Sequence, residues 1–294
     1  MTAHTKIAIV EEASDLVHFW NDVLAPKFIR FRHVLQGGLT RHSEKTLPAL
    51  RVQSGDRILD VGCGFGDTTL LLSERAGKTG EVVGIDCCDA FLDLARCDAE
   101  SFLDANVRFT HGDVERGLNE GLFDFVFARF GTMFFANPVA GFRAMCACMK
   151  PGARMAHIVW RDREDNPWLQ DACDIVRRFL PAPGANAQTC GPGPFSMANE
   201  SVTRAQMEAA GFIDIDFQRV DVKVCVGRNV SDAIAFQLAI GPAGETFREA
   251  GKLAEERRPE IEAALAEMFE EVIAQEGGLW MGSSSWLITA RAPA

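Results

Sequence analysis

The hydrophobic positions between residues 57 and 160 alternate between short runs rich in β-branched residues and longer stretches with helical spacing. The runs predict five strands, at 57–61, 81–86, 107–111, 123–129 and 154–160. Strands that alternate with helices in this way are typical of a parallel sheet with crossover helices, because only a crossover brings the chain back to start a parallel neighbour. We therefore predict an α/β fold for this part of the chain.

The regular alternation stops after residue 160. Residues 161–199 contain five prolines around one predicted helix at 168–180, a composition typical of a lid or cap. The remaining predicted elements are a helix at 202–210, a strand-rich stretch at 212–226, a helix that begins near Pro259, and a closing strand at 284–292 that runs antiparallel beside the stretch at 212.

These patterns divide the chain into four predicted segments. They are an N-terminal helical cap at 1–50, a ligand-binding core at 51–160, a lid insertion at 161–200, and C-terminal core strands at 201–294 with a helical insertion at 229–278. The apolar stripe of the helix after Pro259 either closes over the lid or meets a second subunit, so a homodimer is a further expectation.

Composition narrows the classes of partner and compartment. The chain has 294 residues, 47% of them apolar, a net charge of −11 and no run rich in Lys and Arg, so we expect no nucleic-acid partner. No apolar run approaches the roughly 20 residues that a membrane span requires, and the N-terminus lacks a targeting pattern, which predicts a cytoplasmic protein. The nine cysteines are scattered without zinc-site spacing, so we expect reduced thiols and no metal.

A glycine-rich turn, Gly62-Cys63-Gly64-Phe65-Gly66, follows the first strand and leads into a helix. Small residues at this place let a ligand approach the backbone closely. A dinucleotide site has a third glycine at the helix start, where a pyrophosphate binds, but here Asp67 occupies that position. An acidic residue there repels a pyrophosphate, and Asp60 before the turn adds a second negative charge, so the turn predicts a cationic ligand.

Further acidic residues stand at the ends of the next two strands. Asp86 is placed to accept hydrogen bonds from both hydroxyls of a ribose, and Asp113 is placed to accept one from an adenine amino group. A cation, a ribose and an adenine together predict S-adenosylmethionine as the ligand. Because the ribose acid is shared with nicotinamide sites, an NAD(P)-dependent oxidoreductase is the alternative.

Five strings in the chain resemble the class I S-adenosylmethionine-dependent methyltransferases, and more closely the ubiquinone/menaquinone biosynthesis branch. They are LDVGCGFGDTTLLL (59–72), EVVGID (81–86), GDVE (112–115), FDFVFARFGTMFFANP (123–138) and MKPGARM (149–155). This resemblance covers roughly residues 47–160. It implies a seven-stranded, mostly parallel, doubly wound Rossmann-like sheet with a final antiparallel strand, and S-adenosylhomocysteine as the product.

The resemblance also implies roles for individual residues. It assigns the methionine portion of the cofactor to Asp60, Gly62, Cys63 and Gly64, the ribose to Asp86 with Cys87 beside it, the adenine to Asp113 and Val114, and the methionine end to backbone groups of Arg129 or Phe130. The chain departs from the family in having no tyrosine, in the Cys87-Cys88 pair, and in a large insertion before the last strand. These departures leave the acceptor open.

Methyl transfer is an in-line displacement, so positioning of the acceptor supplies much of the catalysis. We expect a small-molecule acceptor, apolar or aromatic, that is methylated at carbon or oxygen. The candidate acceptor-binding residues are Trp20, Met133, Phe134, Trp160, Trp168 and Phe195, and the candidate bases are His18, His42 and His157. A protein that binds S-adenosylmethionine without catalysis is the second alternative, because a fold alone does not imply turnover.

Overall fold

The computed structural model describes residues 15–102, 106–118, 120–184, 187, 191–272, 274–275 and 277–294. Its strands are β1 (Arg57–Val61), β2 (Glu81–Asp86), β3 (Val107–His111), β4 (Phe123–Arg129), β5 (Met149–Trp160), β6 (Ile213–Gly227) and β7 (Gly278–Arg291). They form one sheet in the order β3-β2-β1-β4-β5-β7-β6, and a two-residue strand, Ala274–Gln275, pairs with the start of β7.

Only β7 runs antiparallel to its neighbours β5 and β6 along this order, and the other pairings are parallel. The seven-stranded, mostly parallel sheet predicted from the sequence is therefore confirmed. The central strand β4 carries the consecutive residues Phe125, Val126, Phe127 and Ala128, each no more than 1% exposed, and consecutive residues of a strand point to opposite faces. A strand covered on both faces needs such a continuous apolar run, because neither face meets water.

Helices surround the sheet. In chain order they are α1 (Asp15–Phe19), α2 (Ala25–Arg30), α3 (Arg32–Thr46), α4 (Asp67–Ala76), α5 (Asp89–Ala99), α6 (Pro138–Ala147), α7 (Pro167–Val176), α8 (Glu200–Ala209), α9 (Val230–Gln237), α10 (Gly241–Ala250) and α11 (Lys252–Glu270), with a π-helical turn, Trp20–Leu24, between α1 and α2. Within the described residues, no helix is both long and apolar enough to cross a membrane.

Four predicted boundaries were wrong. The strand predicted at 154–160, β5, begins at Met149. The helix expected to begin near Pro259 begins at Lys252, and Arg258 donates hydrogen bonds to Glu255 and Glu262 on either side of the proline. The helix predicted at 168–180 ends at Val176. The closing strand begins at Gly278, six residues before the predicted start, because its first half pairs with the long strand β6. The four-segment division of the chain stays a prediction.

The apolar stripe of α11 is covered by the chain itself. Ile261, Leu265 and Phe269 are fully buried, and α11 packs against α7, α9 and α10. The stripe is therefore not available to a second subunit, and the expected homodimer stays a prediction without this support.

Candidate functional site

A cleft opens at the edge of the sheet where β1, β2, β3 and β4 end. Parallel strands that share a sheet end at one edge, which is where open α/β folds bind ligands. The floor of the cleft is formed by residues at or just after the ends of these four strands, namely Gly62, Cys63, Gly64, Asp86, Cys87, Asp113, Val114, Arg129 and Phe130. The structure thus brings together nine of the ten residues that the sequence predicts to bind the cofactor.

The glycine turn adopts a backbone conformation that side chains disfavour. Gly62, Gly64 and Gly66 all have positive φ, with values of 66°, 54° and 77°. A Cβ at Gly66 would also lie 2.8 Å from the ring of Phe109 and 2.9 Å from Cβ of Ala95, so this residue lets the turn pack on the sheet. Gly62 and Gly64 line the cleft and leave their backbone open to a ligand.

Asp86 is held in place by the backbone. One carboxylate oxygen accepts a hydrogen bond from the amide of Gly64 and the other accepts one from the amide of Cys88, both at 2.9 Å. Burial raises the pKa of Asp86, while these amides oppose the shift. A carboxylate has about four acceptor sites, so two remain for the hydroxyls of a ribose in the cleft.

Asp113 and Val114 lie on the adjoining part of the floor. The carboxylate of Asp113 accepts a hydrogen bond at 3.0 Å from the amide of Glu115, and its other oxygen lies 3.5 Å from Nε of Arg116. Asp113 is thus the N-cap of a short 3₁₀ helix and also lines the cleft. The capping role and the predicted adenine contact do not exclude each other, because a carboxylate accepts several hydrogen bonds.

Asp60 is the predicted cofactor residue that does not line the cleft. Its side chain is buried beneath the turn and accepts a hydrogen bond at 2.7 Å from the hydroxyl of Thr69. Burial raises the pKa of Asp60 to about 7, because the charged form loses its hydration. Asp60 therefore lies behind the turn and not in the cleft, and its predicted contact with the methionine portion stays a prediction.

Asp67 differs from its predicted role. Its carboxylate accepts hydrogen bonds at 3.0 and 2.9 Å from Nη2 of Arg129, and one oxygen also accepts a bond at 2.8 Å from the hydroxyl of Thr40 on α3. Both charged side chains line the cleft and are mostly buried. The charge of Asp67 is therefore neutralised by Arg129 and is not free to attract a cationic ligand. Arg129 contributes its side chain to the cleft as well as its backbone.

Phe130 has an unusual backbone conformation at the end of β4. Its φ is +56°, a value that costs about 1–3 kcal/mol for a residue with a side chain. The ring is stacked on Trp160 at a centroid distance of 3.8 Å, and its amide donates to the carbonyl of Ile158. Packing therefore compensates the strain and fixes Phe130 at the cleft.

The N-terminal helices roof the cleft with aromatic and aliphatic side chains. Trp20 makes edge contacts with Phe28 and Phe134 at centroid distances of 5.3 and 5.0 Å, and Leu35 and Leu39 of α3 continue this wall. Sequence reasoning missed Phe28, Leu35 and Leu39. Leu35 and Leu39 are four residues apart, which is the helical spacing that would have placed these two on one face of α3.

A side-chain amide ties this roof to the sheet. Asn21 donates hydrogen bonds at 2.9 Å to the carbonyls of Val17 and Cys87, so it joins the π-helical turn to the end of β2. A π-helical turn inside an α-helix is frequent at functional sites. Burial raises the pKa of the Cys63 and Cys87 thiols, so both line the cleft as neutral groups.

Two of the six predicted acceptor residues, Trp20 and Phe134, line the cleft. The other four lie behind its wall. Trp160 is covered by Phe130 and Trp168 packs on Trp160, while the sulfur of Met133 accepts a hydrogen bond from the amide of Trp160. Phe195 lies under the guanidinium of Arg163. These residues were predicted from their residue types and from the segments in which they lie, and neither shows which face of an element a side chain occupies.

None of the three candidate histidines lines the cleft. His42 is fully buried between the hydroxyls of Ser283 and Ser285, at 2.9 and 2.8 Å from its Nε2 and Nδ1. The Ser283 hydroxyl donates to the carbonyl of Val222, so Nε2 of His42 is the donor and the ring is neutral. Burial, aided by the charge of Arg129, lowers the pKa of His42 to about 3. This histidine is buried behind the wall and does not line the cleft.

His157 and His18 are also placed away from the chemistry. His157 is fully buried, contacts the Thr132 hydroxyl at 3.1 Å, and has its pKa lowered to about 3 by burial. His18 is exposed on α1. In the part of the chain that is described, no group of three or more His, Cys, Asp or Glu side chains is arranged to hold a metal ion.

Comparisons with known sequences match this chain to methyltransferases. A family model described as a methyltransferase domain matches residues 58–152. A demethylmenaquinone methyltransferase from Listeria welshimeri is 28% identical over 178 residues, which are 60% of this chain and 75% of the relative. The ubiquinone/menaquinone biosynthesis C-methyltransferase UbiE from Ectopseudomonas mendocina is 32% identical over 168 residues, which are 55% of this chain and 64% of the relative.

Solved structures show the same fold. The YcgJ protein from Bacillus subtilis aligns with a TM-score of 0.56 at 18% identity, covering 86% of this chain and 99% of that one. Phosphoethanolamine N-methyltransferase 2 from Haemonchus contortus, in complex with S-adenosylmethionine, aligns with a TM-score of 0.58 at 15% identity, covering 96% and 61%. At these identities the likeness concerns the fold alone.

Proposed function

We propose that this chain, a class I S-adenosylmethionine-dependent methyltransferase whose sequence resembles the ubiquinone/menaquinone biosynthesis branch, methylates a planar aromatic small molecule at carbon or oxygen. The observation that carries the acceptor class is the three-ring wall of Trp20, Phe28 and Phe134, which faces the cleft next to the glycine turn. Aromatic side chains prefer edge and offset-stacked contacts with other rings, so this wall suits a flat aromatic acceptor.

The cleft has the features that S-adenosylmethionine requires, and when bound this cofactor supplies an activated methyl group on a sulfonium. In our proposal the backbone at Gly62 and Gly64 accommodates the methionine portion, and Cys63 lies beside it. Asp86 accepts from the ribose, Asp113 and Val114 hold the adenine, and the backbone of Arg129 or Phe130 meets the methionine end. The preformed hydrogen bonds of Asp86 support this assignment, because they orient its carboxylate before any ligand arrives.

Positioning and exclusion of water are the catalytic contributions that we assign to the protein. The roof of Trp20, Phe28, Leu35 and Leu39 removes water from the reacting face, and the stacked Phe130 holds one wall rigid. No histidine lines the cleft among the residues described. We therefore infer that the acceptor carries an acidic hydroxyl or enol that loses its proton without a dedicated histidine base.

The relatives named for quinone biosynthesis support this acceptor class. Their names specify methylation of demethylmenaquinone or C-methylation in ubiquinone and menaquinone biosynthesis, and both concern a quinone ring. A hydroquinone combines a flat ring and an acidic hydroxyl, which are the properties inferred from the cleft, with a nucleophilic ring carbon that can accept a methyl group. We propose a hydroquinone or a similar phenolic ring as the acceptor.

The cofactor assignment is tested by calorimetry with S-adenosylhomocysteine and NAD. We expect the wild type to bind S-adenosylhomocysteine and not NAD, and Asp86→Ala to weaken this binding by at least about tenfold, because a charged hydrogen-bond acceptor is lost. The exposed Asp93→Asn variant is the matched control. Binding of NAD alone, or equal affinity in both variants, would contradict the assignment.

The acceptor is tested by transfer of labelled methyl groups to a 2-unsubstituted naphthohydroquinone, compared with an aliphatic amine. We expect labelled product only from the naphthohydroquinone, and we expect Trp20→Ala to raise its KM more than it lowers kcat. Transfer to the amine with none to the naphthohydroquinone would overturn the acceptor class and leave the methyltransferase assignment intact.

A further inference from the structure

A second cavity lies away from the cleft, between α2 and the C-terminal helices α9, α10 and α11. It has a volume of about 790 Å³, within the range of small-molecule sites. Its floor is apolar and is formed by Phe31, Ile234, Leu238, Ala239 and Phe247. No part of the proposed methyl transfer uses this cavity.

Cationic side chains surround the apolar floor. Four line the cavity, Lys27, Arg30, Arg248 and Arg258, against two acidic ones, Glu255 and Glu262. Both acids accept hydrogen bonds from Arg258, so their charge is directed to that residue. Arg248 is also paired, with Glu249, so the positive charge that the cavity offers to a ligand is that of Lys27 and Arg30.

Lys27 and Arg30 stand out among these cations. They lie on adjacent turns of α2, and neither forms an ion pair with any residue that the structure describes. Burial and the nearby charge of Arg248 lower the pKa of Lys27, while Glu245 opposes this shift. An anion placed at this end of the cavity would relieve the repulsion between Lys27 and Arg248.

The cavity and the cleft share one helix. Phe28 of α2 lines the cleft, whereas Lys27, Arg30 and the following Phe31 line the second cavity. A ligand in the second cavity would thus contact the helix that forms part of the cleft roof without entering the cleft.

We propose that the second cavity binds a single-chain aliphatic carboxylate. Its carboxylate group lies at Lys27 and Arg30, and its hydrocarbon chain covers Ile234, Leu238 and Phe247. Charged hydrogen bonds to a carboxylate give the site its preference for an anion, and burial of methylene groups gives it a preference for chain length. A short anion such as acetate lacks the chain, and a cationic amphiphile is repelled by the rim.

The experiment is calorimetric titration of the full chain with decanoate, at saturating S-adenosylhomocysteine so that the cleft is filled. We expect one decanoate per chain, much weaker binding of acetate, and no binding of decyltrimethylammonium. Lys27→Met and Arg30→Met are each expected to weaken decanoate binding by about tenfold. Lys252→Met, which removes a 92% exposed charge of α11 outside the cavity, is the control and should leave binding unchanged.

Further binding measurements test the proposed carboxylate site. Ala239→Trp fills the cavity and should abolish decanoate binding, while S-adenosylhomocysteine binding, which uses the cleft, reports whether the variant is folded. Decanoate binding that survives both methionine substitutions, or equal binding of decyltrimethylammonium, would overturn the proposal. Competition between decanoate and S-adenosylhomocysteine would place decanoate in the cleft and would also overturn it.

Discussion

Asp60 provides a direct test of the electrostatics beneath the glycine turn. Its carboxylate is almost fully buried, its hydrogen-bond donor is Thr69, and its pKa is raised from 3.8 to about 7 by burial. The test substitution is Asp60→Asn. The amide oxygen still accepts the bond from Thr69, so the substitution removes the ionisation and little else that depends on pH.

The direction in which stability changes with pH follows from proton linkage. Because the folded pKa of Asp60 is higher than the unfolded one, the folded state binds more protons between pH 4 and 7. The stability that Asp60 contributes is complete below about pH 4 and is lost as the pH rises through 7. Roughly three pKa units at 1.36 kcal/mol each give a change of at most about 4 kcal/mol. Asp60→Asn lacks this loss, so its stability relative to the wild type should rise over the same interval.

Urea unfolding at several pH values between 4 and 8 measures the difference, without cofactor in the buffer. We expect the free energy of unfolding of Asp60→Asn minus that of the wild type to increase with pH and level off above 7. Asp93→Asn, whose parent side chain is 74% exposed, is the control and should show no comparable trend. A difference for Asp60→Asn that is constant with pH would refute a raised pKa at this site.

Three other variants test the packing of the site. Gly66→Ala should cost about 1–3 kcal/mol more than Gly152→Ala in urea unfolding, since both have positive φ but only Gly66 lacks space for a Cβ; equal costs would contradict this. Arg129→Met should lower the free energy of unfolding by about 2 kcal/mol, because it leaves Asp67 without its ion-pair partner. The double variant Arg129→Met/Asp67→Leu should be more stable than Arg129→Met alone. Losses of stability that simply add in the double variant would show that the two side chains are not coupled. Asn21→Ala should raise the acceptor KM severalfold with little change in Tm, and an unchanged KM would refute a role in roof closure.

The local pattern of apolar and polar residues was sufficient to predict most of the fold. The alternation between 57 and 160 predicted β1 to β4 at the observed bounds, because their apolar runs and the polar turns between them are both local signals. The start of β7 was missed because the stretch 278–283 contains two glycines and a serine, residues of weak strand propensity. Its strand conformation comes from pairing with β6, about 60 residues earlier, which a local window cannot show.

The same distinction between local and long-range signals explains which site residues could be predicted from the sequence. Residues at strand ends were found because the topology places them at one edge. The partners of His42, Ser283 and Ser285, lie on β7, more than 240 residues away in sequence, so its buried position outside the cleft could not be predicted from the local pattern. In the sequence alone, His42 is a polar residue on an N-terminal helix and so resembles a candidate base. In the structure, both of its ring nitrogens contact serine hydroxyls and the ring is buried. The burial of His42 depends on residues that are distant in the sequence, and the sequence around His42 does not show it.

The ion pair between Asp67 and Arg129 changes the electrostatic explanation of the cleft. Two fixed negative charges beside the turn would favour a cation but would also repel each other in a site with little water. Arg129 cancels one of them, and burial brings the other, Asp60, close to half-protonation near pH 7. A cation that enters beside the turn favours the ionised form of Asp60, so the attraction grows when the ligand arrives. Loss of the positive charge from the ligand sulfur on methyl transfer removes part of that attraction, which favours release of the neutral-sulfur product.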